Sequence, residues 1–181
     1  MIRIYEWLSE TISKVGRMKQ HKKSILVVCM GNICRSPTGE AVLRAKAAQQ
    51  GLDIVVDSAG TIGFHKGSKP DPRSSAVAEQ RGYNFDGIRS RPVVAGDFEK
   101  FDLILASDKA NLADLYDVCP QEHQNKLALF LSFSDSEYDE IPDPYYGGPK
   151  GFELVLDLIE GASDKILALP SLAKESVEED K

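Results

Sequence analysis

Short apolar runs alternate along the chain with longer amphipathic stretches. The apolar runs predict buried strands over residues 24–28, 53–57, 103–106 and 127–130. Apolar positions at helical spacing, with start and stop signals around them, predict helices over residues 37–50, 71–81, 108–118 and 152–169, and one helical turn over 95–100. Strands separated by helices form parallel sheets that are covered on both faces. The pattern therefore predicts an α/β fold, a single domain with a four-stranded parallel sheet and helices on both faces.

The two ends of the chain differ from its middle. Residues 1–23 carry six basic and two acidic side chains, a local charge of +4 in a chain whose net charge is −6. Ile4, Leu8, Ile12 and Val15 recur there at spacings of three and four, which predicts a short amphipathic basic helix. Such a helix would suit contact with a partner or an anionic membrane surface, but a loose terminal tail is the more frequent outcome. We divide the chain into an extension over 1–23, a domain over 24–170 and an acidic tail over 171–181.

Composition argues against several functional classes. A net charge of −6 gives no bulk attraction to nucleic acid, and no apolar stretch reaches the roughly 18–20 residues of an integral membrane segment. Three cysteines without a recognisable secretory signal argue against a disulfide framework and favour a cytoplasmic location. The histidines, His21, His65 and His123, are too scattered to form a metal centre. We expect no metal and no cofactor.

One loop carries most of the chemistry. Cys29 and Arg35 stand six positions apart, directly after the first predicted strand. The next two residues predict a helix with Ser36 as its N-cap and Pro37 at its first position. A strand that turns tightly into a helix points backbone N–H groups and the positive end of the helix dipole at one spot, and so forms an anion site. Because such a site favours the thiolate of a cysteine at its mouth, this loop between the first strand and the first helix unites a nucleophile with an anion cradle.

This loop resembles the signature loop of the low-molecular-weight protein tyrosine phosphatases. The likeness rests on the Cys–Arg spacing together with the Gly31-Asn32 pair, a second cysteine at Cys34 and the Ser-Pro that follows the arginine. A second block, Asp-Pro-Tyr-Tyr-Gly at residues 143–147, resembles the general-acid loop of that family and lies in the family's order. The resemblance begins near residue 24. It implies a phosphatase whose partners are phosphotyrosine-containing proteins.

The resemblance assigns the reaction to three residues. Cys29 would attack phosphorus and form a cysteinyl-phosphate, which water then removes without a metal ion. Arg35 would hold two phosphate oxygens with its planar fork and stabilise the transition state. Asp143 would protonate the leaving oxygen and later activate water. From spacing alone, other acidic residues in the Pro/Gly-rich loop over 132–149 remain equal candidates for that acid, namely Asp135, Asp139 and Glu140.

The remaining loop residues are expected to shape the cradle. Gly31 lets the backbone approach the phosphate, and Asn32 suits the left-handed conformation of a tight turn. The resemblance implies that Ser58 braces the loop by bonding the Asn32 amide, and that Ser36 hydrogen-bonds the thiolate. The phosphate-binding loop then comprises Met30, Gly31, Asn32, Ile33, Cys34 and Ser36.

The resemblance also implies a substrate pocket and a redox role. Tyr145, Tyr146 and Phe64 would wall a pocket deep enough to favour phenyl phosphate, although an ordinary core position is an equal alternative for Phe64. Ile33 is similar to the residue of tyrosine-directed members rather than of arginine-phosphate phosphatases, since its apolar side chain can pack against a phenyl ring. Cys34 would trap the oxidised nucleophile as a disulfide.

The chain departs from the family pattern at two points. A histidine that often precedes an Ala-Arg-Gln segment is absent from residues 87–92, so its hydrogen bond to Asn32 is expected to be missing. The frequent Met-Asp after the third strand is replaced by Ser107-Asp108. Both changes concern fine positioning rather than the reaction.

Two other functions share a thiolate in an anion cradle. A thiol-linked arsenate reductase needs relay cysteines, and residues 82–100 contain none. It also has no use for the Asp-Pro-Tyr-Tyr loop. A phosphate-binding module without turnover would be expected to have lost Cys29, Arg35 or Asp143, and all three are present.

Overall fold

The computed structural model describes residues 22–172 and shows the parallel sheet that the sequence predicts. Its strands lie in the order β2-β1-β3-β4, and every neighbouring pair is parallel. The strands are β1 (Ser24–Cys29), β2 (Val55–Gly60), β3 (Leu103–Ala106) and β4 (Leu127–Leu129). The helices are α1 (Arg35–Gln49), α2 (Pro72–Gln80), α3 (Ala95–Lys100), α4 (Lys109–Val118) and α5 (Pro149–Leu167), with 3₁₀ turns at Gln121–Lys126, Phe130–Phe133 and Pro170–Leu172.

The termini are described only in part. The amphipathic helix predicted within residues 1–23 lies outside the described residues except for 22 and 23, and the acidic tail lies outside them except for 171 and 172. Between residues 22 and 172, no helix has both the length and the apolar composition needed to cross a membrane.

The central strand β1 carries the core on both of its faces. All six of its residues are buried, and successive side chains point to opposite sides of the sheet. Ile25 and Val27 pack with buried residues of α1, α2 and α5. Leu26 and Val28 pack with buried residues of α3 and α4. Helices therefore cover both faces, which confirms the predicted architecture.

Several predicted boundaries are wrong, each for a local reason. β2 begins at Val55 and continues to Gly60, because residues 58–60 pair with the end of β1 although their small and polar side chains look like loop. α1 begins at Arg35 with Cys34 as its N-cap, so neither Ser36 nor Pro37 holds its predicted helix-start position. α5 begins at Pro149, three residues before the predicted start, since a proline in the first turn needs no hydrogen-bond acceptor for its nitrogen. β4 ends at Leu129 and passes into a 3₁₀ turn.

The carboxyl edge of the sheet gathers the candidate residues. In the register of the sheet Cys29 pairs with Gly60, and Val28 pairs with Ala106 at the end of β3. A Cβ on Gly60 would lie 2.6 Å from the Met30 carbonyl oxygen, so only glycine lets β2 run this close to the loop after Cys29. The loop therefore leaves the sheet at a point where three strand ends meet.

Gly39 offers a test of how tightly α1 packs on β1. A Cβ there would lie 2.9 Å from Val27 Cγ1, which is too close for the stiff valine to relieve cheaply. We expect Gly39→Ala to lower the free energy of unfolding by about 1–2 kcal/mol, because overpacking outweighs the better helix propensity of alanine. Denaturant unfolding followed by circular dichroism measures the change.

Gly161 provides the matched control. It is an exposed residue within α5 with open space around its missing Cβ. Gly161→Ala should raise the free energy of unfolding by about 0.5–1 kcal/mol through helix propensity alone. Equal stabilisation by both substitutions would contradict the tight α1–β1 contact.

Candidate active site

The loop after β1 turns its carbonyl groups outward and its amide groups inward. Within residues 22–172, the backbone N–H groups of residues 31–34 donate to no protein acceptor. The carbonyls, in contrast, are tied to neighbouring segments. Cys29 O accepts from Thr61 N at 2.9 Å, Met30 O from Ile62 N at 3.1 Å, Gly31 O from Ser90 Oγ at 3.0 Å and Ile33 O from Asp71 N at 2.7 Å. Because the carbonyls face away, the free amides form a concave anion site at the start of α1.

Asn32 sets the curvature of this loop. Its φ of 53° lies in the left-handed region, as the sequence predicts, and its side chain is fully buried. The Asn32 Nδ2 group donates to Ser36 Oγ and to Ser58 Oγ, both at 2.9 Å. Its Oδ1 accepts from the backbone N–H of Arg91 at 2.9 Å. The Asn32 amide therefore has partners on both its nitrogen and its oxygen without a histidine nearby in the sequence.

A buried carboxylate, that of Glu40, binds the Ser58 hydroxyl that accepts from Asn32. Ser58 Oγ donates to Glu40 Oε2 at 2.5 Å, and Glu40 is 2% exposed. Burial raises the pKa of Glu40, while the Ser58 hydrogen bond and the ion pair with Arg44 oppose the rise. Sequence reasoning missed Glu40, because nothing in the pattern of α1 shows that this side chain reaches β2.

The cysteine and its serine neighbour are in direct contact. Cys29 Sγ lies 3.0 Å from Ser36 Oγ, and both residues are buried. The Ser36 hydroxyl also lies 3.2 Å from Ala59 O and accepts from Asn32. Since one hydroxyl carries one proton, Ser36 donates either to Ala59 or to the sulfur. The Ser36 hydroxyl is therefore within hydrogen-bond distance of the sulfur, and it does not cap the helix, whose N-cap is Cys34.

Arg35 is buried among acceptors. Its Nη1 group donates to Asp108 Oδ2 at 2.5 Å and to Ile141 O at 3.2 Å, and its Nη2 group donates to Asp143 Oδ2 at 3.0 Å. Burial lowers the pKa of Arg35, but attraction to Cys29 and to the two carboxylates outweighs it, so the net shift is upward. Among the described residues, Nε–H and one Nη2 proton have no acceptor. These two donors can form a fork for a phosphate.

Asp108 is the second residue that sequence reasoning left without a role. It follows β3 and caps α4, where Oδ1 accepts from Asn111 N at 2.7 Å while Oδ2 holds Arg35. Its signal in the sequence is that of an ordinary helix cap. The partner lies 73 residues earlier, so only the strand order β1-β3 reveals the contact.

The structure distinguishes the acidic residues of the loop over 132–149, which spacing alone left as equal candidates for the general acid. Asp143 is the one that lines the same cavity as Cys29 and Arg35. Its Oδ1 accepts from Tyr145 N at 3.0 Å, and its side chain is 46% exposed. The others pair elsewhere: Asp135 with Lys165, and Asp139 and Glu140 with Lys109.

A cavity of about 260 Å³ joins the phosphate loop to the acid loop. The predicted aromatic residues surround it at different depths: Tyr145 is 39% exposed, Phe64 84% and Tyr146 96%. Phe64 is therefore a rim residue and not a core residue. Sequence reasoning missed two further lining residues, Ile62 and His65, which lie in a loop with no recognisable motif. The lining also includes Met30, Gly31, Ile33 and Cys34.

Comparison with known proteins points to one family. The family described as low molecular weight phosphotyrosine protein phosphatase matches residues 24–180. The Bacillus subtilis low molecular weight protein-tyrosine-phosphatase YfkJ is 39% identical over 155 residues, covering 84% of this chain and 97% of that protein. The human low molecular weight phosphotyrosine protein phosphatase is 38% identical over 141 residues, covering 76% and 89%. The chain belongs to the low molecular weight phosphotyrosine protein phosphatase family.

The structural comparison agrees. A crystal structure of a protein tyrosine phosphatase from Entamoeba histolytica, with Hepes in its active site, superposes with a TM-score of 0.79 at 42% identity. It covers 81% of this chain and 96% of that one. The chain is therefore a phosphatase, a hydrolase, as the resemblance of its two motifs predicts. The family match does not include residues 1–23.

The second cysteine of the phosphatase loop is buried and protonated. Cys34 is 5% exposed and lines the same cavity as Cys29. Burial, together with the nearby charge of Asp71, raises the pKa of Cys34 to about 12, against a partly opposing hydrogen bond with Ser74. At neutral pH this side chain is a neutral thiol and so a poor nucleophile.

The raised pKa of Cys34 predicts its behaviour toward alkylating agents. Only the thiolate reacts, so we expect iodoacetamide to leave Cys34 unmodified between pH 7 and 9 in the folded protein. Peptide mass spectrometry gives the extent of labelling. In urea all three cysteines should label, which serves as the control. Labelling of Cys34 in the folded protein at the rate seen in urea would contradict a buried neutral thiol.

Proposed function

We propose that this chain hydrolyses phosphotyrosine in proteins through a cysteinyl-phosphate intermediate and without a metal ion. One observation carries the proposal: Cys29 and Arg35, from the loop after β1, line one cavity with Asp143, which lies 108 residues beyond Arg35 in the chain. They supply the nucleophile, the phosphate ligand and the proton donor that this reaction needs. The family membership supports the same reaction class.

In the first step the Cys29 thiolate attacks phosphorus. The S–P bond forms as the bond to the phenolic oxygen breaks, and the proton of Asp143 passes to that oxygen. The inward amides of the loop and the free N–H groups of Arg35 hold the phosphate oxygens and stabilise the charge that they carry in the transition state. The contact between Arg35 and Asp143 places the acid beside the bound phosphate.

In the second step water removes the phosphate from sulfur. Asp143, now a carboxylate, takes a proton from the water as its oxygen attacks phosphorus, and the S–P bond breaks. The thiolate leaves more easily because the Ser36 hydroxyl, 3.0 Å from Sγ, donates a hydrogen bond to it. Free phosphate then dissociates and the site returns to its first state.

Aromatic walls favour a phenyl leaving group. Tyr145 and Tyr146 contact each other edge to face with ring centroids 4.9 Å apart, and Ile33 and Ile62 add apolar surface to the cavity. A tyrosyl ring can pack against these groups while its phosphate reaches Cys29. A seryl side chain is shorter and has no ring to pack against these groups, so its phosphate would reach Cys29 less well.

The proposal also covers redox regulation by Cys34, the partners of the enzyme and its cellular location. Peroxide would oxidise the Cys29 thiolate to a sulfenic acid. Cys34 is a poor nucleophile toward external reagents, but it lines the same cavity as Cys29, so an intramolecular reaction would let its thiol condense with the sulfenic acid to a disulfide, releasing water. Two electrons from an external thiol restore both cysteines. The partners would be phosphotyrosine-containing proteins in the cytoplasm, with the basic extension over 1–23 as a further contact to a partner or a membrane surface.

Hydrolysis of p-nitrophenyl phosphate tests the catalytic roles. Cys29→Ser should abolish turnover, and Asp143→Ala should lower it by about 10²–10⁴-fold, because the first step loses its acid and the second step loses the base that activates water. EDTA should have no effect. Absorbance of the released nitrophenolate measures the rates.

Asp135→Ala is the matched control for the acid. It removes a carboxylate from the same loop, but one that is exposed and paired with Lys165 away from the cavity. We expect wild-type turnover from it. Loss of activity in EDTA, or equal losses from the two aspartate variants, would overturn the proposed mechanism.

Peroxide treatment tests the role of Cys34. After brief oxidation and then dithiothreitol, we expect the wild-type enzyme to recover most of its activity. Cys34→Ser should recover much less, because its sulfenic acid proceeds to irreversible forms. Cys119→Ser is the control, since that thiol lies outside the cavity lining. Equal recovery by the Cys34 and Cys119 variants would refute the redox role.

A further inference from the structure

An arginine outside the cavity, Arg73, contacts the acid loop over residues 143–147. Arg73, in the first turn of α2, donates from Nη1 to the Tyr145 carbonyl oxygen at 3.1 Å. Its guanidinium carbon lies 5.3 Å from the centroid of the Tyr145 ring and 4.7 Å from that of Phe152, at the start of α5. Both distances are within the range of cation–π contact. One side chain therefore fixes the backbone and the ring of Tyr145 at once.

Asp71 fixes that arginine in turn. Asp71 Oδ1 accepts from Arg73 Nε at 3.0 Å, and Oδ2 accepts from Nη2 at 2.8 Å, a two-point contact with the planar fork. The Asp71 side chain is 9% exposed. The hydrogen bond from Arg73 lowers the pKa of Asp71, so this carboxylate stays charged and keeps its hold.

The same aspartate is bound to the phosphate loop. The Asp71 backbone N–H donates to Ile33 O at 2.7 Å. A continuous series of contacts thus leads from Ile33 through Asp71 and Arg73 to Tyr145. On the other side of Tyr145, its backbone N–H donates to Asp143 Oδ1.

We propose that Arg73 is a positioning residue that sets the general acid Asp143 at its distance from the phosphate loop. The inference rests on the proposed function, because it assumes that Asp143 protonates the leaving oxygen. The Tyr145 backbone N–H binds one oxygen of Asp143. Arg73 binds Tyr145 in turn, and Asp71 connects Arg73 to the phosphate loop. Arg73 itself is absent from the lining of the cavity, so it acts through Tyr145 and not on the substrate.

A defect in acid positioning has a specific kinetic signature. Nitrophenolate is a better leaving group than phenolate, so its departure depends less on a proton from the acid. Since displacement of a catalytic group by about 1 Å can cost about 10²-fold, loss of Arg73 should harm poor leaving groups most. A role confined to stability would lower the rates for all leaving groups by the same factor.

The experiment measures kcat/KM of the full chain for a series of aryl phosphates. We expect Arg73→Ala to lower the value for phenyl phosphate about 10- to 100-fold, and that for p-nitrophenyl phosphate less than about threefold. Arg73→Lys should behave like the alanine variant, because lysine lacks the planar fork. In an Asp143→Ala background, Arg73→Ala should add no further dependence on the leaving group.

Arg81→Ala is the matched control. Arg81 lies just beyond α2 and pairs with Glu153, Asp157 and Glu160 of α5. Among the described residues its side chain forms no hydrogen bond with residues 143–147. It should lower the unfolding temperature and leave the leaving-group dependence of the wild type. A wild-type dependence in Arg73→Ala would overturn the inference while hydrolysis by the wild type still upheld the proposed function. Absence of hydrolysis by the wild type would instead refute the proposed function.

Discussion

The inward turn of the phosphate loop is the constraint on which the rest of the site depends. Four carbonyls of the loop are tied to segments outside it, and Asn32 takes up the left-handed conformation that lets the chain enter α1 at once. A non-glycine residue pays about 1–2 kcal/mol for that conformation. Three hydrogen bonds to the Asn32 amide, fully shielded from water, offset this cost. The anion site therefore depends on the hydrogen bonds with neighbouring segments that hold this strained turn in place.

The sequence predicts the fold well where burial alone decides it. The bounds of β3 are those predicted, and β1 is one residue longer than predicted, since both are apolar runs buried on both faces. Predictions fail where tertiary contacts override local signals. Residues 58–60 look like loop in the sequence, but they extend β2 because they pair in parallel with residues 27–29 of β1. Ser36 looks like an N-cap, but its hydroxyl is engaged by Cys29.

The site divides in the same way. Cys29, Arg35 and Asp143, the residues proposed for the reaction, can be picked out from motifs, and they line one cavity. Asp108 and Glu40 have no motif, and each acts across the sheet on a residue that is distant in sequence. Asn32 shows a related case: its side-chain oxygen accepts from the Arg91 backbone N–H, so a backbone group satisfies it and no side-chain motif marks the contact. Contacts of this kind depend on topology, so they follow only from the fold.

The two carboxylates on Arg35 differ in a way that explains how the site exchanges partners. A buried guanidinium must keep an anion beside it, since an unpaired buried charge is strongly unfavourable. Asp108 is 21% exposed and is fixed at the start of α4, where it also accepts from Asn111. Asp143 is 46% exposed and is held by a single backbone amide besides Arg35. In the proposed reaction, the Asp108 contact can persist when phosphate takes the free fork of Arg35, while Asp143, which lines the cavity, turns toward the leaving oxygen. The buried arginine then keeps an anion beside it throughout.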